Sequence, residues 1–300
     1  MKTWDPHHPA PGIYTMPVAQ YHADPCPAPS LSSGCLATLL DQSPFHAWHG
    51  HPRLGKGENS EGRKTEIGSA VHRLVLEAGA EIAVIQADSY RGKEARMLQE
   101  AAYASGQLPI LAEDYAIARA MAAPLRMAAE DYMGAKIADC LREVVIIWRD
   151  GEFWRRALID LMSRDLRKLM DLKTSRGSAS PPACVSRIFD GGYEIQAEHY
   201  TRAAHSVDPE GRGRREFAFL FGEVDAPHCV SPPIILSEGA QTVSRERWEI
   251  GSALWDSCLK HDYWPAYETD TVIAEAPSWF IQRWQSRMLG DSALNPVGQS

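Results

Sequence analysis

The sequence predicts one α/β (α+β) domain: a central mixed β-sheet flanked by helices. Three observations predict it. Helical periodicity dominates residues 33 to 137. Three apolar, turn-bounded segments follow between 141 and 174. Helix-like and strand-like stretches then alternate towards the C-terminus. A chain of 300 residues suits one large domain or two small ones, and a hydrophobic share of 44% is ordinary for a globular core.

The elements follow in order. Residues 1–32 are proline-rich, show little periodicity and read as an extended, weakly structured lead-in. The folded domain is expected over 33–290, with 291–300 as a flexible tail. Ser32 or Ser33 can cap a short helix carrying Leu36, Leu39 and Leu40 and ending near Pro44. GHPRLGKGENSEGR (50–63) is a polar loop. Ile67, Val71, Leu74, Val75 and Ala78 form one stripe at helical spacing, so a helix is expected over 64–78, with His72 at the flank of the stripe. Two more helices are expected over 91–104 and 112–137, the second kinked or split at Pro124.

The texture then changes. LREVVIIW (141–148) is apolar and β-branched, so it reads as a strand. Asp150-Gly151 is a strong hairpin turn, 152–162 the return strand, 163–167 a second turn and 168–174 a third strand. These make an antiparallel meander. A polar loop leads to YEIQAEHYTRAAHSV (193–207), a helix on which Gln196 and Tyr200 share a face. REFAFLFGEV (215–224) and CVSPPIILSE (229–238) read as strands, and helices near 241–260 and 278–288 close the chain.

Composition excludes several classes. No run of 18 apolar residues exists, so no membrane span is expected. The N-terminus lacks a basic region followed by an apolar stretch, which argues against a secretory signal and for a cytoplasmic location. Cysteines at 26, 35, 140, 184, 229 and 258 form no C-x-x-C pair, so neither zinc nor an iron–sulfur cluster is expected. The net charge of −8 opposes nucleic-acid binding. Its distribution does not: residues 142–187 hold ten Lys or Arg against six Asp or Glu, a local +4.

That basic island contains ALIDLMSRDLRKLMDLKTSRG (157–177), where Asp160 and Asp171 interrupt apolar runs. Strand side chains alternate faces, so Asp171 and Lys173 project together, and Asp160 on the preceding strand lies across from them. Two close carboxylates repel unless a cation sits between them. Hard oxygen ligands suit Mg²⁺, with Mn²⁺ as a substitute. An ammonium beside them can orient water or steady a developing anion. A metal, an oriented water and a nearby cation together suit phosphodiester hydrolysis. The bare triplet fits a salt-bridged hairpin equally well.

Its surroundings resemble the PD-(D/E)xK nuclease superfamily, and within it the RecE-like (exonuclease VIII type) branch. Asp160 is similar to the first metal aspartate, Asp171-x-Lys173 to the (D/E)xK element, and Thr174 completes a D-L-K-T ending. Gln196 and Tyr200 resemble the Q-x-x-x-Y helix motif. Gly68-x-Ala70-x-His72, with Glu77 just beyond, resembles a helix whose histidine contributes to the metal site. Glu143 resembles an acidic residue on the strand entering the hairpin. SLSSGCLATLLDQSPFHAW (30–48), DYWPAY (262–267) and PSW (277–279) resemble opening and closing segments of such domains.

The resemblance implies a restriction-endonuclease-like core. It implies a metal set of His72, Asp160 and Asp171, with Lys173, Glu143, Gln196 and Tyr200 completing the catalytic site. It implies a Mg²⁺-dependent exodeoxyribonuclease acting on double-stranded DNA ends, 5′ to 3′, to leave 3′ overhangs. A RecT-like single-strand annealing protein and a ring-shaped homo-oligomer are the implied partners. Such a ring reconciles an acidic exterior with a basic channel. Arg156, Arg164, Arg167, Lys168 and Arg176 are the expected phosphate contacts, as are Arg155 and Arg187. An endonuclease, a nuclease of single-stranded or branched DNA, and a DNA-binding module without turnover are the alternatives.

Overall fold

The computed structural model describes residues 1–55, 66–211 and 215–290. Along the chain come β1 (Lys2–Thr3), β2 (Gly12–Thr15), α1 (Val18–His22), β3 (Ser30–Leu31), α2 (Ser33–Asp41), α3 (Pro44–Gly50) and α4 (Glu66–Leu76). A small parallel pair, β4 (Ile82–Ile85) and β5 (Leu108–Leu111), brackets α5 (Lys93–Ala104). α6 (Ala112–Met133) and a 3-10 turn (Ile137–Asp139) lead into β6 (Leu141–Asp150), β7 (Phe153–Met162) and β8 (Lys168–Ser175). α7 (Pro181–Asp190), α8 (Tyr193–Val207), β9 (Glu216–Glu223), β10 (Ile234–Ile235), α9 (Glu238–His261) and α10 (Ser278–Gly290) follow. Among the described residues, no helix is long and apolar enough to cross a membrane.

The main sheet is mixed, as expected. Its order is β1-β2-β6-β7-β8-β9-β10, with β3 pairing β7. β6, β7 and β8 form the antiparallel meander, and β9 then runs parallel to β8 along its whole length. The first hairpin closes with Asp150 opposite Phe153, so its loop is Gly151–Glu152, one residue later than expected. Gly151 has φ 59, the left-handed conformation that a tight hairpin loop requires and that glycine adopts at little cost.

Each face of the sheet carries its own core. On one, Ile67, Val71 and Val75 of α4 and Met121 and Leu125 of α6 pack with Met170, Leu172 and Leu220. On the other, Cys184 and Ile188 of α7 and Ala197 and Ala204 of α8 pack with Leu169, Phe217, Phe219 and Phe221. Each fully buried large apolar side chain contributes about 1.5–3 kcal/mol. A third cluster joins α2 and α9 through Leu36, Leu39, Trp248 and Trp255.

The lead-in corrects expectation. Residues 1–32 supply three strands and a helix, and β2 hydrogen-bonds along β6. The physical reason lies in β6. Its run of apolar residues needs cover on both faces. Val144, Ile146 and Trp148 face the α8 core, while Val145 and Ile147 are covered by Trp4, Tyr14 and Tyr21 of the N-terminal segment.

Other elements also depart from expectation. α6 runs unbroken through Pro124, since one missing hydrogen bond is offset by the buried stripe of Ala118, Met121, Leu125 and Ala129. A second short helix, α3, starts at Pro44 rather than the chain merely stopping there, because Ser43 caps it by accepting from His46 N at 3.3 Å. The stretch between β8 and α8 contains α7, and 229–238 is strand only at Ile234–Ile235 beyond an isolated bridge at Val230. Of the described residues, 1–266 form one compact unit and 267–290 belong to a second. Most of the polar loop, residues 56–65, and the tail 291–300 lie outside the described residues.

Candidate active site

The site forms where β7 and β8 part. Their ladder has only two pairs, Leu161–Met170 and Met162–Leu169. Continuing that register would set Asp160 opposite Asp171, but the strands diverge there. Beyond the gap, the same edge of β7 is taken by β3 at Trp154–Arg155. The backbone hydrogen bond lost at the fork is replaced by a side chain: Leu172 N donates to Asp160 Oδ2 at 2.8 Å.

The two helical layers reach this fork from opposite faces. From α4, His72 places Nδ1 3.5 Å from Asp160 Oδ2. From α8, Gln196 donates from Nε2 to Asp171 Oδ1 at 2.6 Å and accepts from Lys173 Nζ at 3.0 Å. Lys173 Nζ also lies 2.7 Å from Asp171 Oδ2 and 4.3 Å from the Tyr193 ring centroid. Tyr200, one turn beyond Gln196, is buried against Phe217. Glu143 faces Asp160 across the β6–β7 ladder, at a point where neither residue pairs through its backbone and Glu143 has φ 46. A side chain at Gly79 would collide with the Glu143 carboxylate, 2.9 Å from where a Cβ would stand.

Burial and mutual charge set the ionisation of these groups. Burial pushes Asp171 up, against the pull of Lys173. Burial also opposes ionisation of Asp160, but His72, the Leu172 N–H and Lys173 together hold it below the ordinary range. His72 is raised, because Asp160 outweighs the burial that would lower it. Lys173 is raised for the same reason by Asp171. Glu143 is pushed up by burial and by Asp160. The groups form one electrostatic unit of alternating sign.

Asp160, Asp171, Lys173, His72, Glu143, Gln196 and Tyr200 therefore converge, but His72, Asp160 and Asp171 do not form a ready-made cation cage. Among the described residues, no three His, Cys, Asp or Glu side chains are clustered so as to hold a metal ion. Asp171 instead faces Lys173. Its Oδ2 is buried and off hydrogen-bond alignment with the ammonium, leaving an incompletely satisfied carboxylate oxygen. Two inward carboxylates, one with a spare oxygen, and an imidazole are the donor set a small hard cation takes, so the residues fit Mg²⁺ or Mn²⁺.

No family model matches the chain, and no curated protein matches it. A solved structure does. It is a candidate exonuclease from Eubacterium rectale, with a TM-score of 0.55 and 11% identity, covering 89% of this chain and 98% of that one. At this identity the likeness establishes the fold alone.

The expected phosphate contacts fare unevenly. Arg164, Arg167 and Arg176 are exposed, the first two at the β7–β8 turn and the third just beyond β8. Lys168 is tied down: Nζ donates to Tyr132 O at 2.5 Å and lies over the Tyr132 ring. Arg187 donates to Ser178 O at 2.6 Å. Arg156 is a correction. It is only 4% exposed, donates to Ser30 O and Oγ at 2.6 Å each, and pairs with buried Asp24 at 3.3 Å. Arg155 is fully buried against Asp256 and Ser252. Two buried guanidiniums with carboxylate partners are structural, and neither can meet a phosphate. Tyr193 and Gly79 went unnoticed in the sequence. The signal for Tyr193 was its place three residues before Gln196, on the same helical face.

Proposed function

We propose that this protein is a Mg²⁺-dependent exodeoxyribonuclease that degrades one strand of linear double-stranded DNA, 5′ to 3′, leaving 3′ overhangs. The observation that carries the reading is the fork between β7 and β8, where Asp160, Asp171 and Lys173 meet His72 from one layer and Gln196 from the other. The likeness in fold to a candidate exonuclease supports the nuclease class. The sequence resemblance supports the polarity, a ring-shaped homo-oligomer around the duplex, and a RecT-like annealing protein as receiver of the overhang.

Asp160, Asp171 and His72 would hold the metal, with Glu143 behind Asp160 adding negative charge. The cation would supply Lewis-acid polarisation of the phosphoryl oxygen and stabilise the departing 3′ oxygen. Lys173 orients the attacking water and balances charge at the phosphorus. Gln196 fixes Lys173 and Asp171 relative to each other, because its amide bonds to both. Arg164, Arg167 and Arg176, which are exposed, would contact backbone phosphates, and such contacts position DNA without reading its sequence.

The test is degradation of linear duplex, covalently closed circular duplex and single-stranded DNA, each with Mg²⁺ or chelator. Loss of linear duplex alone, only with Mg²⁺, is the expected result. Nicking of closed circles would replace the reading by an endonuclease. Preferred attack on single strands or branched ends would replace it by a different nuclease of this fold. Binding without cleavage under any metal would make the protein a DNA-binding module.

A further inference from the structure

Lys173 is held on three sides, and one of them is aromatic. Asp171 and Gln196 grip the ammonium from two directions. The third is the face of Tyr193, 4.3 Å from Nζ to the ring centroid. The backbone before this ring is built to seat it. Gly192 caps α8 with φ 65, a left-handed conformation costly for a residue with a side chain. Gly191 lies so close under the ring that a Cβ there would stand 3.2 Å from Tyr193 Cζ and 2.9 Å from Arg187 O. The ring in turn leans on Phe219, the β9 residue paired with Asp171. The two glycines and Phe219 thus determine where the ring stands, and the ring determines where Lys173 can go.

We infer that Tyr193 is a positioning residue for the reaction: its π face holds the Lys173 ammonium at the fork, between Asp171 and the space a phosphodiester would enter. The inference rests on the nuclease reading for its consequence, but not for the placement itself. The face of a ring attracts an ammonium, and does so more strongly when water is excluded. A flexible four-carbon side chain otherwise samples many positions. The ring's electrons, not its hydroxyl, do this work, so phenylalanine should serve as well as tyrosine and leucine should not.

Two measurements test it together. In single-turnover and steady-state cleavage of linear duplex, Tyr193→Phe should keep kcat within about threefold, while Tyr193→Leu should lower kcat by about tenfold or more with KM for DNA unchanged. In a Lys173→Met background, Tyr193→Leu should add no further loss, because the group it positions is gone. A merely structural role would still add its cost there. The second measurement needs no activity. In protein labelled with [ε-¹³C]lysine, the ε-methylene protons of Lys173, assigned through the Lys173→Met variant, should be shifted upfield by the ring and return to the ordinary position in Tyr193→Leu. An unshifted Lys173 signal in the native protein overturns the inference, even if the Leu variant fails to fold. So does full activity of Tyr193→Leu. A shifted signal in a protein that cleaves no DNA leaves the placement standing and removes the nuclease reading instead.

Discussion

Arg155 and Arg156 are neighbours on one strand, point to opposite faces, and both end buried against carboxylates. Arg156 fastens β7 to the N-terminal segment through Asp24 and Ser30, and its guanidinium also lies 5.5 Å from the centroid of the Tyr21 ring. Burial opposes ionisation of Asp24, but His51, Arg156 and Ser30 overcome it and hold the carboxyl at about 2. Removing one partner strands the other charge in the interior. Arg156→Ala should therefore cost about 3–5 kcal/mol in urea unfolding. Exposed Arg164→Ala should leave stability nearly unchanged while weakening DNA binding. His199 makes a second prediction. It is buried, its Nδ1 accepts from Trp248 Nε1 at 3.0 Å, and its Nε2 must then donate to Arg156 O at 3.0 Å, so the ring is neutral. Burial pushes its pKa down to about 3. The unfolded chain takes up this proton below about pH 6.5, so stability should fall as pH falls from there, by up to about 1.4 kcal/mol per unit. His199→Asn should flatten that slope in urea unfolding measured across pH 4 to 7. An unchanged slope would show that His199 is not its source.

At the scale of elements, the meander and the helix carrying Gln196 were legible because each combines a long periodic run with turn residues. The D-x-K alternation put Asp171 and Lys173 on one face correctly, since a strand's period of two leaves no freedom. The fork between β7 and β8 was not legible. Nothing in 157–177 says that the ladder stops after two pairs; that follows from β3, more than a hundred residues upstream, occupying the rest of the β7 edge. The burial of Arg156 was hidden for the same reason, because its partner Asp24 is distant in sequence. β1 and β3 have two residues each, too few to show a period. α7 could have been found: Ser180 precedes Pro181 and Pro182 at the first turn, and Cys184 and Ile188 repeat at a spacing of four. A close contact between elements lies elsewhere. Gly251 of α9 meets α2 so closely that a Cβ would stand 2.5 Å from Leu36 Cδ1 and 2.9 Å from Leu40 Cδ1. Gly251→Ala should thus destabilise by about 1–3 kcal/mol in chemical unfolding, despite the higher helix propensity of alanine.

Over the whole molecule, charge and site fit together. The chain is acidic at −8, yet the stretch from 142 to 187 is basic. Arg155 and Arg156 drop out of that surface, but so do Asp160 and Asp171, which turn inward at the fork, and the local surplus survives. An acidic chain whose basic segment carries the fork is compatible with the polyanionic substrate proposed above. The central claim is that this fork is a phosphodiesterase centre built on Asp160 and Asp171. Its most direct measurement is the single-turnover rate of linear duplex degradation with saturating Mg²⁺, for the native protein and for Asp160→Asn and Asp171→Asn. These changes keep shape and remove charge, and the rate should fall by at least about a thousandfold in each. Degradation by either variant at close to the native rate would contradict the account.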